Sequence, residues 1–171
     1  MDGAAVWYGL GAALENPHLF DVGRLSFLPQ PTMPEGFVSA TTNTLPVENW
    51  YEYASPLFNK TILQPVADQI SRSLSIASDN QSFVIGTDTT ISRFSSTGQL
   101  LWQIWPEGPA YGVNLTANDS IIVAAIGDGT IRWYRASDGV ELLAFLLMYP
   151  TTNGSPGRPE VTTPLHPAAR I

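Results

Sequence analysis

Between residues 71 and 147 apolar and polar positions follow one another in short bursts, each closed by a turn-forming cluster. Positions 113–116 alternate apolar and polar; Asn118-Asp119-Ser120 breaks the run; 121–126 is continuously apolar. Gly127-Asp128-Gly129 then predicts a tight hairpin, 130–135 alternates again, Ser137-Asp138-Gly139 turns, and 140–147 closes the unit. Four strands are expected. Glycine at such turns supplies backbone angles with φ > 0, and Asp or Asn side chains bond the neighbouring amides. On the strand from Thr130, the residues Ile131, Trp133 and Arg135 share one face and Thr130, Arg132 and Tyr134 the other, so both faces carry large side chains, as stacked sheets require.

The same pattern occurs earlier. "LSIASDNQSFVIGTDTTISRFSSTGQLLWQI" from Leu74 overlays "VNLTANDSIIVAAIGDGTIRWYRASDGVELLAFL" from Val113, so that Asp79-Asn80 falls on Asn118-Asp119, Ile91 and Phe94 on Ile131 and Tyr134, and Gly98 on Gly139. The offset is about 40 residues, the period of a repeat whose units bury their faces on one another. Before it, 4–10 and "HLFDVGRLSFL" (18–28) resemble strands of an incomplete preceding unit. Residues 29–70 are rich in Pro, Thr and Asn and read as a long surface connection pinned by Trp50, Tyr51, Tyr53, Leu57 and Phe58. After 149 the pattern stops in a Pro-rich tail.

Composition narrows what such a chain can do. Only 13% of its 171 residues are charged and 11% are aromatic, which argues for a packed chain with a Ser-, Thr- and Asn-covered surface. A net charge of −7 without any Lys/Arg cluster gives no footprint for nucleic acid or an anionic membrane. No apolar stretch reaches about 18 residues and the N-terminus is acidic where a signal peptide would be basic, so a soluble, cytoplasmic chain is expected. Without cysteine there are no disulfides, thiolate metal sites or cysteine nucleophile.

Four-stranded units of this period, with a Gly-Asp-Gly hairpin and a Ser-Asp-Gly turn before the last strand, resemble the WD-repeat β-propellers, and most closely bacterial propellers attached to caspase-like peptidase domains. "ISRSLSIASDNQSFVIGTDTTISRFSSTGQLLWQI" and "YGVNLTANDSIIVAAIGDGTIRWYRASDGVELLAF" look like consecutive late blades of that group, and "VENWYEYASPLFNKTILQP" like its inter-blade insert. The Trp-Asp pair that names the repeat is replaced by Trp133-Tyr134 and Arg93-Phe94, and the Gly-His pair is missing. The resemblance implies an all-β, partial β-propeller of two to three four-stranded antiparallel blades: a partial blade over 1–28, an irregular inter-blade insert over 29–70, blades over 71–105 and 106–149, and a disordered tail over 150–171. Relatives commonly continue with a Trp-Thr-Pro-x-Gly-Tyr-Tyr segment. A permitted codon choice for residues 151–171, read from the third base, gives "NERVAWTPGGYYTSPSGGEN", so the tail is alternatively the product of a shifted reading frame.

Candidate chemistry is sparse. His18 lies in a strand-like run and His166 in the tail, and no nucleophile elbow, zinc-protease motif or phosphate-cradling loop occurs. Asp79, Asp119, Asp128 and Asp138, with Gly127, Gly129 and Gly139, fit turn duty rather than calcium ligation, which needs dense alternating carboxylates. Trp102, Trp105, Trp133, Tyr111 and Tyr134 fit packing between sheets. The connection Trp105-Pro106-Glu107-Gly108-Pro109 with Tyr111 is the candidate partner contact. These features point to a non-catalytic protein-interaction or scaffold module with no cofactor and no metal, which the resemblance links to regulation of a caspase-like peptidase. The alternatives are a fragment of a quinoprotein-type propeller enzyme, or a gene fragment without independent function. Open blade edges further predict self-association.

Overall fold

The structure, a computed structural model, describes residues 5–8, 18–21 and 26–28 as strands and residues 41–146 in full. They fall in two units divided between Ser39 and Ala40. In the first unit β1 (Ala5–Tyr8), β2 (His18–Asp21) and β3 (Ser26–Leu28) form an antiparallel sheet in the order β1-β2-β3. The tail expected over 150–171, with His166, lies outside the described residues.

The second unit begins with three two-residue strands, β4 (Val47–Glu48), β5 (Leu57–Phe58) and β6 (Thr61–Ile62), followed by a 3-10 turn over Gln64–Val66. Two meanders follow. β7 (Ser71–Ile76), β8 (Ser82–Thr87), β9 (Ile91–Ser95) and β10 (Leu100–Ile104) form one four-stranded antiparallel sheet; β11 (Ala110–Leu115), β12 (Ile121–Ile126), β13 (Thr130–Arg135) and β14 (Glu141–Leu146) form the other. The fold is all-β, and its two four-stranded sheets are the blades of a partial propeller. β11 starts three residues before the alternating stretch, because a bulge between Ala110 and Gly112 hides Tyr111 from a period-two reading.

Local chemistry explains why both four-stranded meanders turn at the same places. Asp79 Oδ1 accepts from the Gln81 amide at 2.8 Å and Asn118 Oδ1 from the Ser120 amide at 3.2 Å, and the residues that follow, Asn80 and Asp119, both adopt left-handed angles (φ 56° and 54°). At the turns before the last strands the left-handed residue is Gly98 in one meander and Gly139 in the other.

The sheets lie face against face. Val84, Ile91 and Ala77 of the first pack with Val113, Leu115, Ile122, Ala124, Ile126 and Tyr134 of the second. Hydrogen bonds stitch the seam: Ser73 Oγ donates to the Ala110 carbonyl at 2.9 Å, the Leu115 amide to Ser75 Oγ at 3.0 Å, and Trp102 Nε1 to the Ala136 carbonyl at 2.8 Å. The Ser78 amide and hydroxyl both donate to Asp119.

The other face of the first sheet is also covered, and here the connection does more than decorate a surface. Val47, Phe58, Leu63 and Val66 bury Leu74, Ile76, Phe83, Ile85 and Phe94, and the rings of Phe58, Phe83 and Phe94 stack at 5.5 and 5.2 Å. β8 is therefore buried at all six positions, like a strand enclosed on both sides. Of the expected pins, Phe58 is buried and Trp50 and Leu57 are half-buried, but Tyr51 and Tyr53 stand 58% and 59% exposed. The backbone docks there instead: the Glu52 amide donates to the Ser71 carbonyl and the Ser71 amide to the Tyr53 carbonyl. With the Ile76 amide donating to Thr41, both ends of the β7 edge are paired.

Candidate functional site

The connections after β8, β10 and β12 lie at one end of the two sheets. Trp105 is 71% exposed and Tyr111 60%, with Glu107 also exposed between them. The loop that carries them is held against the β12–β13 hairpin, where the Gly127 amide donates to the Pro109 carbonyl at 2.8 Å. A Cβ on Gly127 would stand 2.8 Å from Pro109 Cδ and 3.2 Å from the Tyr111 ring. Gly127 is thus needed for close approach; the left-handed angle of this hairpin belongs to Gly129 alone (φ 87°).

Asp128 fixes the same hairpin. Its Oδ1 accepts from the Thr130 amide at 2.8 Å and hydroxyl at 2.6 Å, and its Oδ2 from Arg132, which also reaches Glu141 at 3.1 Å. Burial opposes the charge on Asp128, but the Thr130 bonds and the Arg132 guanidinium outweigh it and hold the carboxyl below the ordinary range. Burial pushes the Tyr134 phenol up to about 12. At the opposite end Asp138 Oδ1 caps the Val140 amide at 3.1 Å, and Gly139 (φ 74°) sits over the Trp102 ring, leaving 2.9 Å between an added Cβ and Trp102 Cε3.

The aromatic set expected to pack between sheets divides. Trp102 and Tyr134 lie in the seam, and Trp133 is buried on the other face of the second sheet, whereas Trp105 and Tyr111 project to solvent. Trp105 belongs to a loop and Tyr111 to a bulge. Residues 41–146 contain no histidine or cysteine, and among the described residues no three His, Cys, Asp or Glu side chains gather as a metal site. Among the described residues, no helix is long and apolar enough to cross a membrane.

One residue of this end escaped the sequence reading. Arg72 sits at the bulge between Ser71 and Ser73 with its guanidinium 5.9 Å from the Tyr111 ring centre, and carrying the 39-residue offset two positions upstream of Leu74 would have laid it on Tyr111.

No family model and no curated protein matches the chain. Solved structures do. The chain is similar to the WD40 repeats of RRP9 (17% identity, TM-score 0.42, 44% of this chain and 26% of that one). It is also similar to BamB from Moraxella catarrhalis (14%, TM-score 0.48, 67% and 38%) and to the computationally designed Ika4 protein (24%, TM-score 0.39, 44% and 46%). It therefore spans between 26% and 46% of these structures' own length.

Proposed function

We propose that the chain is a non-catalytic protein-interaction module, a stretch of WD-repeat-like propeller within a longer polypeptide, and that it docks a partner through the connection between its two blades. The observation that carries this reading is the pair Trp105 and Tyr111, large apolar surfaces held in water by a fixed loop while the remaining aromatic residues of the blades are used for packing. The turn carboxylate nearest that loop, Asp128, is committed to Thr130 and Arg132. In the finer form of this reading, the module positions or regulates a caspase-like peptidase domain encoded on the same bacterial polypeptide.

The test compares the wild-type chain with Trp105→Ser/Tyr111→Ser in quantitative affinity capture from cells of the source organism, after both melt alike. A discrete set of proteins retained by the wild type and lost from the variant is expected; equal recovery overturns the reading. Genomic DNA flanking the reading frame tests the finer form, which fails if no peptidase domain follows in any continuing frame.

A further inference from the structure

We propose that Arg72 and Tyr111 form a clamp for a single carboxylate side chain of the protein partner. This rests on the interaction reading above and adds the chemistry of what is bound.

The two residues are repeat equivalents. Each is the extra residue of a bulge at the start of its blade's first strand, between Ser71 and Ser73 in one and between Ala110 and Gly112 in the other. Such a bulge re-aims a side chain out of the pleat and gives the strand a local bend. Both bulges are anchored. Ser71 Oγ donates to the Asn49 and Tyr53 carbonyls, Ser73 Oγ to that of Ala110, and the Tyr111 ring lies against Gly127. The side chains are therefore presented by fixed backbone at the end of the sheets that also carries Trp105.

Arg72 is chemically unfinished. The other arginines among the described residues have oxygen partners: Arg93 reaches Ser82 and the Ala136 carbonyl, Arg132 reaches Asp128 and Glu141, and Arg135 reaches Asp138. Arg72 has the Tyr111 ring, and its Nε is buried without an acceptor. Asp88, at the same end, is engaged elsewhere: its Oδ1 accepts from the Ile70 amide at 3.2 Å. With Nε buried, the edge left for a partner is that of the two terminal Nη groups, and a carboxylate is the planar acceptor that matches such an edge bidentately.

The surroundings choose the class of anion. The chain carries −7 overall and Glu107 is exposed on the neighbouring connection, so a lone arginine matches one negative charge better than a phosphate dianion or a run of acids. Tyr111 beside it, and Trp105 exposed at the same end of the sheets, match aromatic or proline residues flanking that carboxylate.

The experiment uses the full-length, isotope-labelled chain in NMR titrations with two peptides that differ only in a central Glu or Gln between tyrosines. The Glu peptide is expected to shift the Arg72 side-chain N–H and the Trp105 indole N–H, and to bind at least about tenfold more tightly than the Gln peptide. Arg72→Gln should erase that difference and lower the melting temperature by no more than loss of one cation–ring contact allows, since the guanidinium makes no hydrogen bond in the free protein; Tyr111→Leu should weaken both peptides. Equal binding of the two peptides, unchanged selectivity in Arg72→Gln, or no shift at all overturns the clamp. A phosphotyrosine peptide binding more tightly than the Glu peptide overturns the choice of carboxylate, and free acetate producing the full response overturns the choice of a peptide. The interaction reading fails separately, by equal partner recovery with the Trp105→Ser/Tyr111→Ser variant.

Discussion

Gly86 tests whether the two blades form one stacked unit. It lies on β8, paired with Ser73, and an added Cβ would stand 2.5 Å from Ser73 Oγ, 2.7 Å from the Ala110 carbonyl oxygen and 2.8 Å from Ala110 Cβ. Two of those three atoms belong to the second blade, and one of them is backbone. Rotating a side chain cannot relieve the clash, so Gly86→Ala must push the sheets apart at the seam. Overpacking of this kind costs about 1–3 kcal/mol. Loss of the buried Ser73–Ala110 hydrogen bond adds about 1 kcal/mol. For a unit of roughly a hundred ordered residues, that lowers Tm by more than about 8 °C. Gly112 is the control, because it occupies the repeat position of Ser73 and a Cβ there meets Ala125 Cβ at an ordinary 3.7 Å. Gly112→Ala should be neutral or stabilising by about 0.4–1 kcal/mol through the unfolded chain. Both variants are followed by circular dichroism on heating and in urea. Coincident melting of Gly86→Ala and Gly112→Ala would refute the stacked seam.

Three further outcomes follow from the seam and its turns. Asp119→Ala removes both Ser78 hydrogen bonds and places Ala at a left-handed angle, which should cost about 1–2 kcal/mol in urea unfolding; Asp119→Asn, which tolerates that angle and keeps an acceptor, should recover most of it, and equal losses would show that the contact does not matter. The Tyr134 phenol, raised to about 12, contributes stability that is complete below the ordinary tyrosine pKa near 10 and is lost as pH rises to about 12; the loss amounts to roughly 3 kcal/mol. Tyr134→Phe should flatten that alkaline limb, and a phenolate absorbance titrating at the ordinary value would contradict the burial. Asp128, whose pKa is lowered, contributes stability present above the ordinary carboxylate range and lost as pH falls through and below it, so Asp128→Asn should be less sensitive to acid than the wild type in the same denaturation series.

The repeat was legible because its turns are written locally. Asp79 and Asn118 cap amides two residues on, Asn80 and Asp119 take left-handed angles, and these side chains do the same work wherever a chain needs that turn. The role of the connection was not legible. Its strands are two residues long, and Glu52, Ser55 and Lys60 adopt left-handed angles that their side chains do not announce. What holds it is tertiary: Phe58, Leu63 and Val66 belong to a core whose other half lies on β7, β8 and β9. Tyr51 and Tyr53 misled for the complementary reason, since aromatic rings suggest burial while the backbone between them makes the contact. Gly86 and Ala125 occupy the same repeat position, yet one must be glycine because the next blade's backbone presses on it, and the other is exposed alanine. The bulges at Arg72 and Tyr111 belong to the same class of fact. A period-two pattern registers a bulge as noise, and although the 39-residue offset lays Arg72 on Tyr111, only the stacked sheets bring the guanidinium of one against the ring of the other.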